Sequence, residues 1–405
     1  MVDATWDEER KRWLSARTRE LGFSLAGIAP VGILAASSEA EDAARFEAWI
    51  DSGHAGEMDY LKRRDEGGQL LRSSVRVAHP WANSVIVCAL SYAAPAPLST
   101  DPAATTAGWI ARYAWSGESR SVESQTGEFR PPNDPQPELR PADYHNFLLL
   151  RLQQLAHELA ERAGGATRCY VDTGPLLERS LAARAGIGWI GKNTCVLNQT
   201  QGSWLLLGVI LTSLRLPTEL FELPAADRCG SCTRCIDACP TDALTAPHHM
   251  DASRCIAYLT IEKKGSVPAD LRPLIGRQVF GCDICQDVCP WNRRAPAGND
   301  STISPRPELI NPDLGWLAGL DPAAFKRWFK GSPLERTRRP RLHRNVAIAM
   351  GNSADSRFLP QLQTWKDGDD PVLAEAALWA ITRIRANSAI EHDLDPEPAP
   401  AAHAV

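Results

Sequence analysis

The sequence has no long hydrophobic run and no secretion signal. Its longest apolar stretches, SVIVCALSY at 84–92 and WLLLGVIL at 204–211, are much shorter than the roughly 20 residues that span a bilayer. The opening residues, MVDATWDEERKRWL, alternate acids and bases and lack the basic and apolar segments of a signal peptide. We therefore expect a cytoplasmic protein without a membrane anchor, in which both apolar stretches are buried strands.

An excess of positive charge is also missing. The net charge of −5 argues against a protein that is covered with nucleic acid, although it allows a local basic face. The sequence contains no glycine-rich loop of the dinucleotide-binding kind either. Its 405 residues are enough for about two or three domains of ordinary size.

Cysteine is the residue that stands out. Eight of the eleven cysteines lie between positions 229 and 289, whereas Cys88, Cys169 and Cys195 stand alone in apolar surroundings, as buried cysteines usually do. The run CGSCTRCIDACP has the C-x2-C-x2-C-x3-C-P spacing of bacterial ferredoxins, in which the fourth cysteine binds the other cluster. The run GCDICQDVCP repeats only the second half of this spacing, so we take Cys255 as its missing member.

Exchange of ligands between the two runs assigns all eight cysteines to two 4Fe-4S clusters. Structural zinc is the alternative, because zinc also binds C-x2-C pairs, but the two C-x3-C-P endings favour iron. Two adjacent clusters form a short path for electrons. The first cluster is predicted to bind Cys229, Cys232, Cys235 and Cys289, and the second Cys239, Cys255, Cys282 and Cys285.

Residues 1–217 are predicted to form an α/β domain. Helical spacing of apolar residues occurs in the segments 8–21, 39–50 and 147–163, and 85–90 is a buried strand. A short strand is predicted to end at Val171, with Pro175 in the first turn of the next helix and Gly186 at its C-terminal cap.

Asp172 therefore lies where a strand is followed by a helix. Catalytic and binding residues are common at such positions. The alternative is a carboxylate that only stabilises the helix terminus. The following GIGWIGKN either lets the backbone approach a ligand closely or forms only a tight turn.

The C-terminal region, from about Asp321, is predicted to be helical and basic. A charge run is usually a solvated face. The stretches NVAIAMGNSADSRFLPQL and DPVLAEAALWAITRI indicate paired helices that resemble a HEAT-like repeat, with Pro371 in a first turn. The tail at 393–405 is expected to be disordered.

Several motifs together resemble the epoxyqueuosine reductases. They are MDYLKRR, ARYAW with DYH, YVDTGPLLERSLAARAGIGWIGKN, the eight cysteines with the spacer CIAYLTIEKKG, and RNVAIAMGN, and they span residues 10–385. The resemblance implies a cobalamin enzyme with two 4Fe-4S clusters that reduces the epoxide of epoxyqueuosine in tRNA to an alkene. It further implies an external electron donor of the flavodoxin or ferredoxin type and a monomeric enzyme.

The resemblance also implies a domain plan. An α/β cobalamin-binding catalytic domain is expected at 1–217, a bacterial-ferredoxin-like two-cluster domain at 218–300 and a HEAT-like tRNA-binding domain at 301–392. A polar, proline-rich insertion at about 118–142 departs from the family pattern and is expected to be flexible. Ala257, where the family has Ser, is a second departure.

Residue roles are carried over from the same resemblance. The proton donor maps onto Asp172, where we expect burial to raise the pKa of the carboxyl enough for a general acid. His145 is not assigned as a cobalt ligand, because Leu148 replaces the glycine of the cobalt-ligating signature. Contacts to the corrin or the substrate are expected from Arg63, Arg64, Tyr144, His145, Lys192, Asn193, Tyr258, Asp283 and Ile284, and contacts to tRNA phosphates from Arg339, Arg341 and Arg344.

Two other functions remain open at this point. One is a cobalamin-dependent reductive dehalogenase of small molecules, which the basic helical region disfavours. The other is a ferredoxin-type electron carrier without catalysis, which the large α/β domain disfavours.

Overall fold

The computed structural model describes residues 5–32, 36–118, 139–298, 300 and 304–394. Most of the predicted insertion at 118–142 and of the predicted tail at 393–405 lies outside these residues. Within the described part of the chain, every helix is too short or too polar to cross a lipid bilayer.

Strands are concentrated in the first half of the chain, and helices dominate its end. The strands are β1 Leu25–Pro30, β2 Ser84–Ser91, β3 Trp109–Ile110, β4 Ser116–Glu118, β5 Arg140–Pro141, β6 Thr167–Tyr170, β7 Trp189–Ile190, β8 Val196–Leu197, β9 Leu205–Thr212, β10 Gln278–Phe280 and β11 Ser304–Pro305. The helices are α1 Glu8–Glu20, α2 Ala36–Asp51, α3 Val75–Ala78, α4 Tyr144–Ala163, α5 Glu178–Arg184, α6 Arg234–Asp237, α7 Ile256–Ile261, α8 Arg272–Ile275, α9 Ile284–Asp287, α10 Leu314–Ala318, α11 Pro322–Phe329, α12 Arg338–Ser353, α13 Leu359–Lys366 and α14 Pro371–Leu394.

A four-stranded antiparallel sheet forms the centre of the N-terminal region, in the order β1-β2-β9-β6. Both faces are covered: Ile86 and Cys88 pack toward α1 and α4, whereas Val85 and Val87 pack toward α5. Because side chains alternate between the faces of a strand, burial on both faces explains why β2 is apolar throughout. The two predicted buried strands are confirmed.

Helix α4 lies close to this sheet because Gly208 of β9 has no side chain. A Cβ atom at position 208 would lie 2.5 Å from Leu152 of α4. The helix begins after Asp143, whose carboxylate accepts the backbone N–H of His145 at 3.1 Å, as an N-cap residue does. Tyr144 and His145 are thereby fixed in the first turn of α4, at the edge of the sheet.

The segment after β6 differs from the prediction. Strand β6 ends at Tyr170 and α5 begins at Glu178, so Pro175 is not in the first turn of a helix. Gly186, with a φ of +72°, does follow the end of α5 as predicted. Asp172 therefore lies in a connection, 171–177, rather than at the start of a helix.

The cysteine-rich region is tied to the N-terminal region by backbone pairing. Strand β10 pairs in parallel with β3. The Tyr258 hydroxyl of α7 accepts the backbone N–H of Glu57 at 2.9 Å, and a Cβ atom at Gly56 would lie 2.6 Å from the Tyr258 ring. These contacts place the segment 56–57 directly on α7.

The C-terminal helices share a core with the regions before them. Helices α12 and α13 pack against α14, which begins at Pro371 as predicted and is capped by Asp370. The hydrophobic cluster around α12 continues into Ile110, Val279 and Phe280. The predicted domain boundary near residue 300 therefore does not coincide with a gap in the core.

Candidate cluster sites and active site

The first predicted group of cluster ligands surrounds one cavity. This cavity, of about 250 Å³, is lined by all four cysteines assigned to the first cluster, Cys229, Cys232, Cys235 and Cys289. Basic side chains line it too, among them Arg228, Arg234 and Lys192, whose Nζ donates to the Gly230 carbonyl at 2.6 Å. A cavity enclosed by four thiols and flanked by positive charge fits an anionic iron–sulfur cluster.

The second predicted group is also brought together. The thiol of Cys282 interacts electrostatically with those of Cys239 and Cys255, and the thiol of Cys285 with those of Cys255 and Cys282. The backbone N–H of Ala257 donates to Cys255, a contact that does not depend on the side chain at that departure from the family pattern. The ligand assignment itself stays a prediction, and the grouping of the eight thiols agrees with it.

Cys195 lies closer to this group than its sequence suggested. Its thiol hydrogen bonds with that of Cys285, although its surroundings in the sequence indicate only an ordinary buried hydrophobe. Asn193 accepts the Cys195 N–H at 3.2 Å and donates from Nδ2 to the Cys285 carbonyl at 3.3 Å. The GIGWIGKN segment, 186–193, contains β7 and the first residues of the turn to β8, and this turn lies against a predicted ligand of the second cluster.

Asp283 has little freedom to contact a ligand through its carboxylate. The residue is 1% exposed, and its carboxylate accepts the Arg112 N–H at 2.7 Å and the Trp109 Nε1–H at 3.2 Å. Its neighbour Ile284 is half-buried and begins α9. The carboxylate thus anchors the Cys282–Cys289 segment to β3.

The two arginines of MDYLKRR lie on the surface. Arg64 pairs with Glu47 at 3.2 Å and donates to the Gly68 carbonyl at 2.8 Å, whereas Arg63 is exposed. Tyr60 of the same motif is 48% exposed and interacts electrostatically with Asp172. Tyr60 is therefore the residue of this motif that lies near Asp172. The sequence analysis did not assign Tyr60 a role.

Three predicted residues, Tyr144, His145 and Asp172, lie together. Tyr144 donates its hydroxyl to Asp172 Oδ2 at 3.3 Å, and His145 Nε2 lies 3.7 Å from the same oxygen. The backbone N–H of Asp172 donates to Glu178 Oε1 at 2.9 Å. The Asp172 side chain remains 63% exposed, so it is open to a bound molecule.

His145 is held by two residues that the sequence analysis did not assign. Its Nδ1 lies 2.7 Å from Asp143 Oδ1 and 2.8 Å from Arg336 Nη2, and Arg336 Nη2 lies 3.3 Å from Asp143 Oδ2. Arg336 belongs to the 3₁₀ helix Pro333–Thr337, which precedes α12. Asp143 could have been found from the sequence, because an aspartate directly before a predicted helix is a typical N-cap. Arg336 could not, because it reaches His145 only through the tertiary structure.

The charges of this group differ from the expectation for Asp172. Burial raises the pKa of the Asp172 carboxyl, but contacts with His145, Tyr144 and Arg336 outweigh it, so the pKa lies below its usual value. The prediction that burial dominates is therefore wrong. Burial lowers the pKa of His145, yet Asp143 and Asp172 raise it above its usual value. Both shifts favour a proton on the imidazole over one on the Asp172 carboxyl.

Glu178 behaves in the opposite way to Asp172. Burial and the neighbouring Asp172 charge raise its pKa to about 8. At neutral pH the Glu178 carboxyl is therefore mostly protonated.

The three arginines predicted to contact tRNA have different surroundings. Arg339 is half-buried, and the half-buried Arg341 donates to the Ile261 carbonyl. Arg344 is 2% exposed and donates to the carbonyls of Leu259, Lys263 and Gly265 at 2.7, 2.9 and 2.6 Å. The prediction of a phosphate contact is wrong for Arg344, because its guanidinium is buried and bound to protein carbonyls.

Two family models match parts of the chain. The 4Fe-4S double cluster binding domain matches residues 228–292, which include all eight predicted ligands. The model described as epoxyqueuosine reductase QueG, DUF1730, matches residues 72–119. Together with the two thiol groups, these matches define the chain as a double-cluster iron–sulfur oxidoreductase.

Full-length relatives specify the family. The chain is 35% identical over 369 residues to the epoxyqueuosine reductase of Salmonella typhimurium, which is 90% of this chain and 85% of the relative. A crystal structure of epoxyqueuosine reductase with a tRNA-Tyr epoxyqueuosine-modified stem loop matches with a TM-score of 0.76 and 28% identity, over 97% of this chain and 95% of that chain. The chain belongs to the epoxyqueuosine reductase family.

A third relative adds a conformational observation. It is the epoxyqueuosine reductase of Bacillus subtilis, with a TM-score of 0.75 and 27% identity over 97% of this chain and 95% of that chain. In that structure the loop of a catalytic aspartate is swung out of the active site.

Family membership confirms the expected enzyme class, an oxidoreductase that acts on epoxyqueuosine. The expected cofactors, two 4Fe-4S clusters and cobalamin, follow from the same membership. Membership also favours this enzyme over the dehalogenase and the electron carrier.

Proposed function

We propose that this enzyme reduces epoxyqueuosine to queuosine in the anticodon loop of tRNA, in the cytoplasm, as a monomer. An external donor of the flavodoxin or ferredoxin type supplies electrons to the two clusters. The observation that carries the proposal is the convergence of Tyr144, His145 and Asp172 at one open site, beside a region that groups eight cysteines in two sets.

The residues around Asp172 fit a bound corrin and its substrate. His145 Nε2 is buried and has no hydrogen-bond partner among the described residues, while Asp172 and Tyr60 are exposed. Cobalamin bound there would supply a reduced cobalt that donates electrons to the epoxide, a reaction beyond protein side chains. Tyr144, His145 and the exposed Arg63 are the residues we propose to hold it.

Proton delivery is the part of the reaction that this chain's own residues perform. Epoxide removal consumes two electrons and two protons, and the oxygen leaves as water. Because the pKa shifts favour the proton on His145, we propose that His145 supplies the proton and that Asp172 passes it to that oxygen; Nε2 and Oδ2 are 3.7 Å apart. Asp143 fixes the orientation of His145 by accepting the Nδ1–H, and it also pairs with Arg336, which lies beside the same nitrogen.

The loop that carries Asp172 is proposed to move into and out of the active site, because the loop of a catalytic aspartate is swung out in the Bacillus subtilis structure. Arg179, in the first turn of α5, donates to the Thr194 carbonyl at 2.7 Å. Thr194 belongs to the turn that lies against Cys285. This hydrogen bond therefore links α5, which follows the Asp172 connection, to the turn beside the proposed second cluster. Asn193 and Lys192 are proposed to face the clusters rather than the substrate.

The three regions are proposed to have separate tasks. Residues 1–217 bind cobalamin and carry Asp172, residues 218–300 bind the clusters with Asp283 and Tyr258 as anchors, and residues 301–392 form HEAT-like helix pairs that bind tRNA. The solved relative with a bound stem loop supports tRNA as the substrate. Arg339 and Arg341 remain the proposed phosphate contacts.

The test is a reaction with defined components. The protein is loaded anaerobically with iron, sulfide and cobalamin, reduced, and mixed with tRNA that carries epoxyqueuosine, and the digested nucleosides are analysed by mass. Loss of one oxygen to give queuosine is the expected result. Unchanged epoxyqueuosine with fully loaded enzyme would contradict the proposal.

A further inference from the structure

The backbone of Asp172 is held in an unusual conformation. Its φ of +55° lies in the left-handed region, which glycine adopts freely and aspartate only occasionally. Two residues later, a Cβ atom at Gly174 would lie 2.6 Å from the Tyr170 ring, so the connection passes directly over β6. A strained conformation at an active site persists only where surrounding contacts enforce it.

The contacts of the Asp172 carboxylate do not explain this conformation. Tyr144 and His145 approach Oδ2 at 3.3 and 3.7 Å, which is at or beyond the long end of a hydrogen bond. Both also belong to α4, so they set the direction of the side chain without fixing the φ angle of its backbone.

Glu178 makes the shorter contact, and it does so to the backbone. Its Oε1 accepts the Asp172 N–H at 2.9 Å. Glu178 is the first residue of α5, a helix that is anchored on the sheet by the buried Leu181 and Ala182. The carboxyl group is thus an acceptor on an anchored helix, and it reaches back to the connection that precedes that helix.

We propose that Glu178 is a positioning residue whose carboxyl oxygen latches the 171–177 connection in the closed position and so directs Asp172 toward the substrate. This inference rests on the proposed function of Asp172. It assigns Glu178 the structural control over the opening seen in the Bacillus subtilis relative.

The charge of Glu178 agrees with a latch rather than with a second ionised acid. Because its pKa is raised to about 8, the carboxyl places little negative charge beside Asp172 at neutral pH, yet its oxygen still accepts an N–H. An amide oxygen has the same capacity. Glutamine should therefore replace Glu178, whereas an apolar side chain of similar size should not.

The experiment compares Glu178→Gln, Glu178→Leu and the surface control Glu161→Gln, all in the loaded enzyme. Single-turnover reduction of epoxyqueuosine in tRNA and amide hydrogen exchange in 172–174 are measured in parallel. We expect Glu178→Leu to slow turnover by about 100-fold, as misplacement of a reacting group does, and to speed exchange about tenfold. Glu178→Gln and Glu161→Gln should stay within about threefold of the wild type in both measurements.

Two results would overturn the latch. One is unchanged exchange in Glu178→Leu. The other is Glu178→Gln as slow as Glu178→Leu, which would mean that the acidic proton rather than the acceptor oxygen is needed. Full turnover by Asp172→Asn would instead refute the role proposed for Asp172, and the exchange data would still decide whether Glu178 holds the connection.

Discussion

The connection around Asp172 and the cysteine segment around Asp283 hold their carboxylates in opposite ways. The Asp283 carboxylate is buried and accepts two hydrogen bonds, one at 2.7 Å from the Arg112 N–H and one at 3.2 Å from the Trp109 Nε1–H. The Asp172 carboxylate is mostly exposed, receives only long contacts and belongs to a strained backbone.

This difference corresponds to two kinds of chemistry. Electron transfer needs donor and acceptor at fixed separation, and a buried carboxylate tied to β3 keeps the second cluster's ligand segment in place. Proton delivery needs an acid that can approach a large substrate. The acid must also move away so that the product can leave and a new substrate can bind. We call the Cys282–Cys289 segment with Asp283 the fixed side, and the 171–177 connection with Asp172 the movable side. The two sides should respond differently to substitution.

The largest effect is expected on the fixed side, for Cys282→Ser. Losing a thiolate ligand should remove the second cluster, so that iron falls from about eight to about four atoms per chain and turnover disappears. Iron content and epoxyqueuosine reduction measure both effects. The control Cys169→Ser, in β6 and outside both thiol groups, should keep its iron. A Cys282→Ser protein with full iron content would refute the ligand assignment.

On the movable side, Asp172→Asn should slow single-turnover reduction by about 100-fold or more, the usual loss when a general acid is removed. Iron and corrinoid content should not change, because Asp172 contacts neither thiol group. Asp51→Asn, an exposed residue at the end of α2, is the matched control. Turnover at the wild-type rate in Asp172→Asn would remove Asp172 from the mechanism.

A smaller effect separates two arginines of α12. Arg344→Ala should lower the free energy of unfolding by about 3 kcal/mol, since the buried guanidinium and its three hydrogen bonds to protein carbonyls are lost. Arg339→Ala should leave stability unchanged and reduce the salt dependence of tRNA binding by about one phosphate contact. Anaerobic calorimetry and binding at several salt concentrations test the pair. Equal stability loss in both variants would contradict this division.

Some features of the fold and of the site could be predicted from the sequence, and others could not. The cysteine spacing predicted both thiol groups because cluster ligation is encoded in local spacing, and β2 and α4 were predicted because their apolar patterns are continuous. The burial of Arg344, the approach of Arg336 to His145 and the contact of Cys195 with Cys285 depend on segments distant in the chain. The start of α5 was misplaced because a proline is compatible with a first helical turn but does not require one.

The last prediction is a pH dependence of stability that arises from Glu178. Glu178 is surrounded by the charged groups Asp172, His145 and Arg72, and its pKa in the folded protein is raised from 4.5 to about 8. A raised carboxyl pKa means that its contribution to stability is fully present below about 4.5 and is lost as the pH rises to about 8. Glu178→Gln should remove this decline.

His145 complicates the measurement, because its pKa is also raised and its contribution is likewise lost with rising pH. The difference in Tm between wild type and Glu178→Gln isolates Glu178, since both proteins keep His145. Between pH 5 and pH 8 the Tm of the wild type should fall relative to the Tm of Glu178→Gln. A constant difference would mean that Glu178 is ionised in the folded protein, and the carboxyl would then latch the connection as a charged acceptor.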